Sequence, residues 1–261
     1  MTEWDAADYE RISGLQVAMA DKVLAVLDLS GASQVLDVGC GNGKITAEIA
    51  ARRPEATVVG VDPSHEMIGF AAGHHGTAHP NLRFEVADAR QLPYRAEFDR
   101  VVSFNALHWV RAQEQALQSI HDAMQPGGGA QLRLVCKGTR HSLEHVLEGT
   151  CFLPEWAGYF EGFEQPYLHL TPEQYSELAR RCGFDVVDIQ SEDEAWDFQT
   201  RAGFEAFGDV TFVEWTRRLP AEKEAKFIED VLNRYRQVAC EMPGEDNMFK
   251  FYQMNVALRR K

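Results

Sequence analysis

Residues 35–44 read Val-Leu-Asp-Val-Gly-Cys-Gly-Asn-Gly-Lys: a carboxylate, Asp37, followed by three alternating glycines, Gly39, Gly41 and Gly43. Glycines let a backbone turn tightly and let a ligand approach it closely. A second acid, Asp62, stands 19 residues past Gly43 and is followed by Pro63. An acid at that distance, at the end of the next strand, is placed to take the hydroxyls of a ribose. A third, Asp88, lies in Glu-Val-Ala-Asp-Ala-Arg (85–90). A dinucleotide loop reads G-x-G-x-x-G and sets a pyrophosphate on a helix N-terminus. This one reads D-x-G-x-G-x-G. Three carboxylates around one pocket suit a ligand with cationic groups and no phosphate.

The elements that must position these residues alternate between strand and helix. Gln34–Val38, 57–61, 82–87, 98–104 and 130–136 read as buried strands, with helices over 44–53, 64–72 and 113–124 between them. Ser64 is an N-cap, and the Pro-Gly-Gly-Gly run at 126–129 is read as a break before the fifth strand. Thr171-Pro172-Glu173-Gln174 opens a helix with a capping box and proline at its first position. A sixth strand follows at 184–190, a helix begins after Pro220, and 251–260 is the last strand, expected as an antiparallel edge. The pattern predicts an α/β, doubly wound, seven-stranded, mostly parallel sheet. Residues 1–30 form an N-terminal helical cover, in which Ile12, Leu15, Met19, Val23 and Leu27 recur at helical spacing from about Asp5 to Leu29. Residues 31–136 form the ligand-binding core. The aromatic segment 137–170 and the stretch 191–247 are helical lid insertions over the carboxyl edge, all within one domain, 1–261.

Composition narrows the partners. Lys and Arg number 26 against 40 Asp and Glu, a formal charge of −14 in 261 residues. Phosphate binding is driven by Lys and Arg, so nucleic acid is disfavoured, and so is an anionic membrane surface. Five scattered cysteines without a C-x-x-C indicate reduced thiols. The N-terminus lacks signal-peptide character, and no apolar run of 18 residues occurs. A cytoplasmic protein acting on a small molecule, as monomer or homodimer, is expected.

S-adenosylmethionine (SAM) combines an ammonium, a sulfonium, a ribose and an adenine, and so suits the three acids. The loop and the two downstream acids resemble the class I SAM-dependent methyltransferase family, with the Rossmann-like methyltransferase fold. The resemblance implies that Asp37 and the backbone of Gly39, Cys40 and Gly41 hold the methionine moiety. It places Asp62 and Pro63 at the ribose, Met67 beside the adenine, and Asp88 and the Ala89 amide at the adenine amino group. Asn105 and the residues up to Trp109 would line the methyl donor, leaving S-adenosylhomocysteine as product. For Met67 alone, core packing is an equal reading. Cys40 reads as a small buried filler rather than a nucleophile, since no base is placed by the motif.

Tyr9-Glu10-Arg11-Ile12-Ser13-Gly14-Leu15-Gln16 and Ser103-Phe104-Asn105-Ala106-Leu107-His108-Trp109-Val110 together resemble juvenile hormone acid methyltransferases and, more loosely, trans-aconitate methyltransferases. That resemblance implies O-methylation of a small carboxylate, with Gln16 and Trp109 holding the acceptor carboxylate and Tyr9 covering SAM. A carboxylate is already ionised at neutral pH, so no general base is required. An alternative acceptor, a phenol, ring nitrogen or carbon, would call on His108 as base. A non-catalytic SAM-binding protein is the second alternative, against which stand Gln16, His108, Trp109 and an enclosing lid. His74, His75 and His79, and the pair His141 and His145, lack the partners of a metal site and read as surface or lid residues. No metal is expected. Glu192-Asp193-Glu194 reads as a solvated loop.

Overall fold

A computed structural model describes residues 13–261 of the chain. The described residues form one seven-stranded sheet: β1 (Gln34–Val38), β2 (Thr57–Asp62), β3 (Leu82–Val86), β4 (Phe98–Phe104), β5 (Met124–Val135), β6 (Phe184–Asp197) and β7 (Met248–Arg260), in the order β3-β2-β1-β4-β5-β7-β6. The first five strands pair in parallel, whereas β7 runs antiparallel to both β5 and β6. The short inner strands are β-branched and buried on both faces. All of Val35, Leu36, Val58, Val59, Val61, Val101 and Val102 are inaccessible to solvent, as a sheet covered by helices on both sides requires.

The helices are α1 (Ser13–Val26), α2 (Lys44–Arg52), α3 (His65–His75), α4 (Gln113–Ala123), α5 (Leu143–Cys151), α6 (Pro172–Arg181), α7 (Arg201–Thr211), α8 (Val213–Thr216) and α9 (Ala221–Ala239). One face of the sheet is closed by Ala116, Leu117 and Ile120 of α4 with Tyr175, Leu178 and Ala179 of α6. The other is closed by Val23 and Leu24 of α1 with Ala47, Ile49 and Ala50 of α2. The expected caps form. Ser64 Oγ accepts from Met67 N at 3.2 Å, and Thr171 and Gln174 complete the capping box that opens α6.

Three expectations are corrected. The last strand is antiparallel but lies inside the sheet, and β6 is the edge. The burial of the two strands explains the exchange. Apolar β7 holds Phe249, Phe251, Met254, Val256 and Leu258 in the core, whereas the acid-rich β6 is largely exposed, and charge is what an edge strand tolerates. Glu192, Asp193 and Glu194 are therefore not a loop. They belong to β6 and pair with Gln253, Tyr252 and Phe251 of β7. Finally, Pro126–Gly129 does not stand before the fifth strand but within it. Strand β5 starts at Met124 and passes through the glycines with a shift of register against Phe98 and Arg100. Glycine permits this: Gly127 has φ of +79°, and a Cβ at Gly128 would lie 2.9 Å from Gln125 O.

Between β5 and α6 the chain forms α5 and a short 3-10 turn, Ala157–Tyr159. Between β6 and β7 it forms α7, α8 and α9. These helices share a separate aromatic core of Trp156, Phe160, Phe204, Phe212, Trp215, Phe227 and Tyr235, rooted on Phe249 and Phe251 of β7. Most of the aromatics in the first insertion are thus packing residues, although Phe152 is 74% exposed.

Candidate active site

The strand order reverses at β1, which lies between β2 and β4. Open α/β sheets bind ligands in the crevice beyond the carboxyl ends of such strands. The glycine loop leaves β1 with φ of +77° at Gly39, +53° at Gly41 and +78° at Gly43. A Cβ on Gly39 would lie 2.2 Å from that of Ala106, in the turn after β4, so the two loops touch through a missing side chain. A Cβ on Gly41 would meet nothing within 4 Å, leaving open space beside its backbone. Gly39 N and Cys40 N donate to Val61 O at 2.8 and 3.0 Å. Asp62 joins the loop to the next turn: Gly41 N donates to its Oδ2 at 3.1 Å and Ser64 N to its Oδ1 at 3.0 Å.

The carboxylates differ in electrostatic state. Asp37 is 2% exposed and accepts from Thr46 Oγ1 at 2.7 Å. Burial pushes its pKa up to about 7, the Thr46 hydrogen bond opposes this, and the charge of Asp62 adds to it. Such a group gains from a cation nearby. Asp88 has a cation of its own. Arg90 donates to it from Nε at 2.9 Å and from Nη2 at 2.5 Å, and this hydrogen bonding holds the carboxyl below its usual range. The Cys40 thiol is pushed well up by burial and by Asp37 and Asp62, which leaves it protonated and non-nucleophilic at neutral pH.

The segment after β4 is held from several sides. Asn105 has φ of +57°, and its N donates to Arg133 O at 2.7 Å. Its Oδ1 accepts from Gln253 Nε2, and its Nδ2 contacts Met19 Sδ of α1 at 3.8 Å. A 3-10 turn, Leu107–Trp109, follows, and Gln113 Nε2 clamps it by donating to Leu107 O at 2.7 Å. His108 is buried, and Val135 N donates to its Nδ1 at 3.5 Å. Burial, then the nearby His169, hold its pKa well below the usual histidine value. The Trp109 ring meets Trp215 edge-on, with centroids 6.3 Å apart.

These loops open on one cavity of about 970 Å³, at the upper end of ordinary ligand pockets. Asp37, Gly39, Cys40, Gly41, Asp62, Pro63, Met67, Asp88, Ala89, Asn105, His108 and Trp109 all line it. Met67 is both 3% exposed and part of the wall. Tyr9 lies outside the described residues, as does the side chain of Gln16. The opposite wall comes from the insertions: Leu143, Glu144 and Leu147 of α5, with Phe207, Phe212, Glu214 and Arg217. Sequence reasoning missed Arg90, whose signal was its place two residues after Asp88, and Lys44, which closes the glycine motif. It also missed Glu144, for which no local pattern exists. Among the described residues, no group of three His, Cys, Asp or Glu is arranged to hold a metal ion, and no helix is long and apolar enough to cross a membrane.

A methyltransferase-domain family model matches residues 35–128, the span from β1 to the glycines of β5. Trans-aconitate 2-methyltransferase of Variovorax paradoxus is 36% identical over 274 residues, covering all of both chains. The juvenile hormone acid O-methyltransferase of Bombyx mori is 28% identical over 162 residues, 60% of this chain and 58% of that one. Among solved structures, Haemonchus contortus phosphoethanolamine N-methyltransferase 2, bound to phosphomonomethylethanolamine and S-adenosylhomocysteine, superposes with a TM-score of 0.61 at 18% identity, over 98% of this chain and 57% of that one. The chain belongs to the class I SAM-dependent methyltransferases. Within that family its type is the one that includes the trans-aconitate and juvenile hormone acid methyltransferases.

Proposed function

We propose that the protein moves the methyl group of SAM to a carboxylate oxygen of a small organic acid. The observation that carries this reading is the state of His108 inside a cavity shared by the glycine loop and the insertion wall. A buried imidazole whose pKa is held well below its usual value is a poor proton acceptor. Such a site favours an acceptor that arrives already ionised, and carboxylates do so at neutral pH. The names of the relatives support the same acceptor class. The His108 base reading, and with it a phenol or ring-nitrogen acceptor, loses support for the same reason.

The cofactor fits the residues present. Asp37 is a buried carboxylate in want of a cation, suited to the ammonium, and the open backbone at Gly41 leaves room beside it. Asp62, on the cavity wall at the carboxyl end of β2, suits ribose hydroxyls, and the ionised Asp88 suits an adenine amino group. Met67 and Pro63 supply an apolar wall. When bound, SAM supplies an electrophilic methyl group on a sulfonium. The chain's own work is then to orient one carboxylate oxygen in line with that methyl and to keep water out. Trp109 and Gln16 are assigned to orientation. Residues 1–30, 137–170 and 191–247 are assigned to cover and acceptor binding, around a core of 31–136, although 191–197 belong to β6. The enzyme is expected to act in the cytoplasm, as monomer or homodimer.

The test is methyl transfer from labelled SAM to a mixed panel of carboxylic acids, phenols and N-heterocycles, followed by mild alkali. Label released as methanol identifies an ester. Alkali-stable label would remove the carboxylate reading.

A further inference from the structure

The insertion wall of the cavity carries an unusual charge pattern. Lys44 and Arg90 line the cavity at the glycine loop and beside Asp88; toward the insertions its cations among the described residues are Arg111, which follows β4, and Arg217. Both are engaged: Arg111 Nη1 lies 2.5 Å from Glu164 Oε2, and Arg217 pairs with Glu214. Glu144, in the first turn of α5, is different. It lines the cavity, is 9% exposed, and has no hydrogen-bond or ion-pair partner among the described residues. The titratable groups that feel its charge are Tyr167, His169 and Tyr235. None supplies a cation at neutral pH: both phenols are pushed up, and burial holds His169 below its usual pKa. A carboxylate on the cavity wall can accept from a donor carried by a bound molecule.

We propose that Glu144 determines acceptor specificity by taking a hydrogen-bond donor, an ammonium or a hydroxyl, on the body of the acceptor, away from the carboxylate that is methylated. The acceptor is then a monocarboxylic acid with an apolar body and one such donor. A tricarboxylate such as trans-aconitate does not match this wall, because one of its extra charges would face Glu144. The inference rests on the carboxylate reading above, and it concerns a residue to which neither the family motif nor the glycine loop assigns a role.

The experiment compares three sets of labelled-methyl acceptors: straight-chain monocarboxylic acids, the same acids with an amino or hydroxyl group at the far end, and trans-aconitate. The wild type is expected to favour donor-bearing acids by about 10-fold to 100-fold in kcat/KM, the range of a charge-assisted hydrogen bond. Glu144→Leu should abolish that preference, bringing kcat/KM for the donor-bearing acids to the level of the plain acids in the same variant. Glu144→Gln, which keeps an acceptor oxygen but no charge, should retain preference for the hydroxy acids and lose it for the amino acids. SAM titration of each variant shows that it has folded. Preference for trans-aconitate or plain acids, or an unaltered preference in Glu144→Leu, would overturn the inference and leave carboxyl methylation standing. Failure of every acid to accept label, with transfer to phenols or heterocycles, would overturn both.

Discussion

Asp37 meets two opposed demands. Its burial beside Asp62 favours the neutral acid, while the proposed ammonium ligand requires the anion. The folded pKa of about 7 lies above the ordinary value of 3.8. The folded chain therefore holds a proton that the unfolded chain gives up between those limits. The stabilisation linked to that proton is complete below about pH 4 and is lost as pH rises to about 7. Cofactor binding should show the reverse trend. SAM affinity is expected to be level above pH 7 and to fall by about tenfold per unit below it, as Asp37 protonates. Calorimetric titration from pH 5.5 to 8.5 checks this. Asp37→Asn should bind weakly and with the slope flattened, and a slope unchanged by the substitution would place the titrating group elsewhere.

Among the elements, β5, β6 and β7 are tied together by one guanidinium. Arg133, with its side chain 6% exposed, donates to Gln253 at 2.8 Å, Asn255 at 2.6 Å and Glu194 at 2.9 Å. Glu194 also receives Lys22 of α1 at 2.6 Å, and Gln253 in turn donates to Asn105. The network runs from α1 to the cavity. Arg133→Met should cost about 3 kcal/mol, because buried partners lose their donor. Lys22→Ala, at the exposed end, should cost under about 1 kcal/mol. Urea unfolding of the two variants compares them, and equal losses would mean that burial does not set the cost. None of this was readable along the chain. Asn105 and Gln253 are 148 residues apart, and pairing across such a distance leaves no local pattern. The glycine loop, the Ser64 cap and the Thr171 capping box were legible because their partners lie within a few residues. Strand β6 hid beyond residue 190 because residues 190–194 are polar at every position and show no apolar alternation.

On the scale of the whole molecule, three apolar cores meet around one cavity. The aromatic core of the insertions is joined to the sheet through Phe249 and Phe251 and to α1 through Leu15, so α1 and the insertion helices are both packed onto the sheet that carries the glycine loop. A ligand held between them should stabilise the protein as a unit. At 100 times its dissociation constant, S-adenosylhomocysteine is expected to add about 2.7 kcal/mol. For a chain of this length that is a rise in Tm of roughly 5–10 °C. Thermal melts with and without the product measure the shift, and Asp37→Asn should remove most of it.

The interior position of β7 has a consequence for biosynthesis. Strands β1 to β5 leave the ribosome in an order that lets each find its neighbour, but β6 emerges with its only partner still untranslated. Until residues 248–260 appear, β5 and β6 both present open backbone, and α7, α8 and α9 wait for Phe249 and Phe251. An orphan strand at that stage is a target for nascent chains on neighbouring ribosomes. The run Ser191-Glu192-Asp193-Glu194 puts three negative charges on the waiting strand. The acids that later anchor Lys22, Arg133 and Arg140 would first keep the unfinished sheet from pairing with copies of itself.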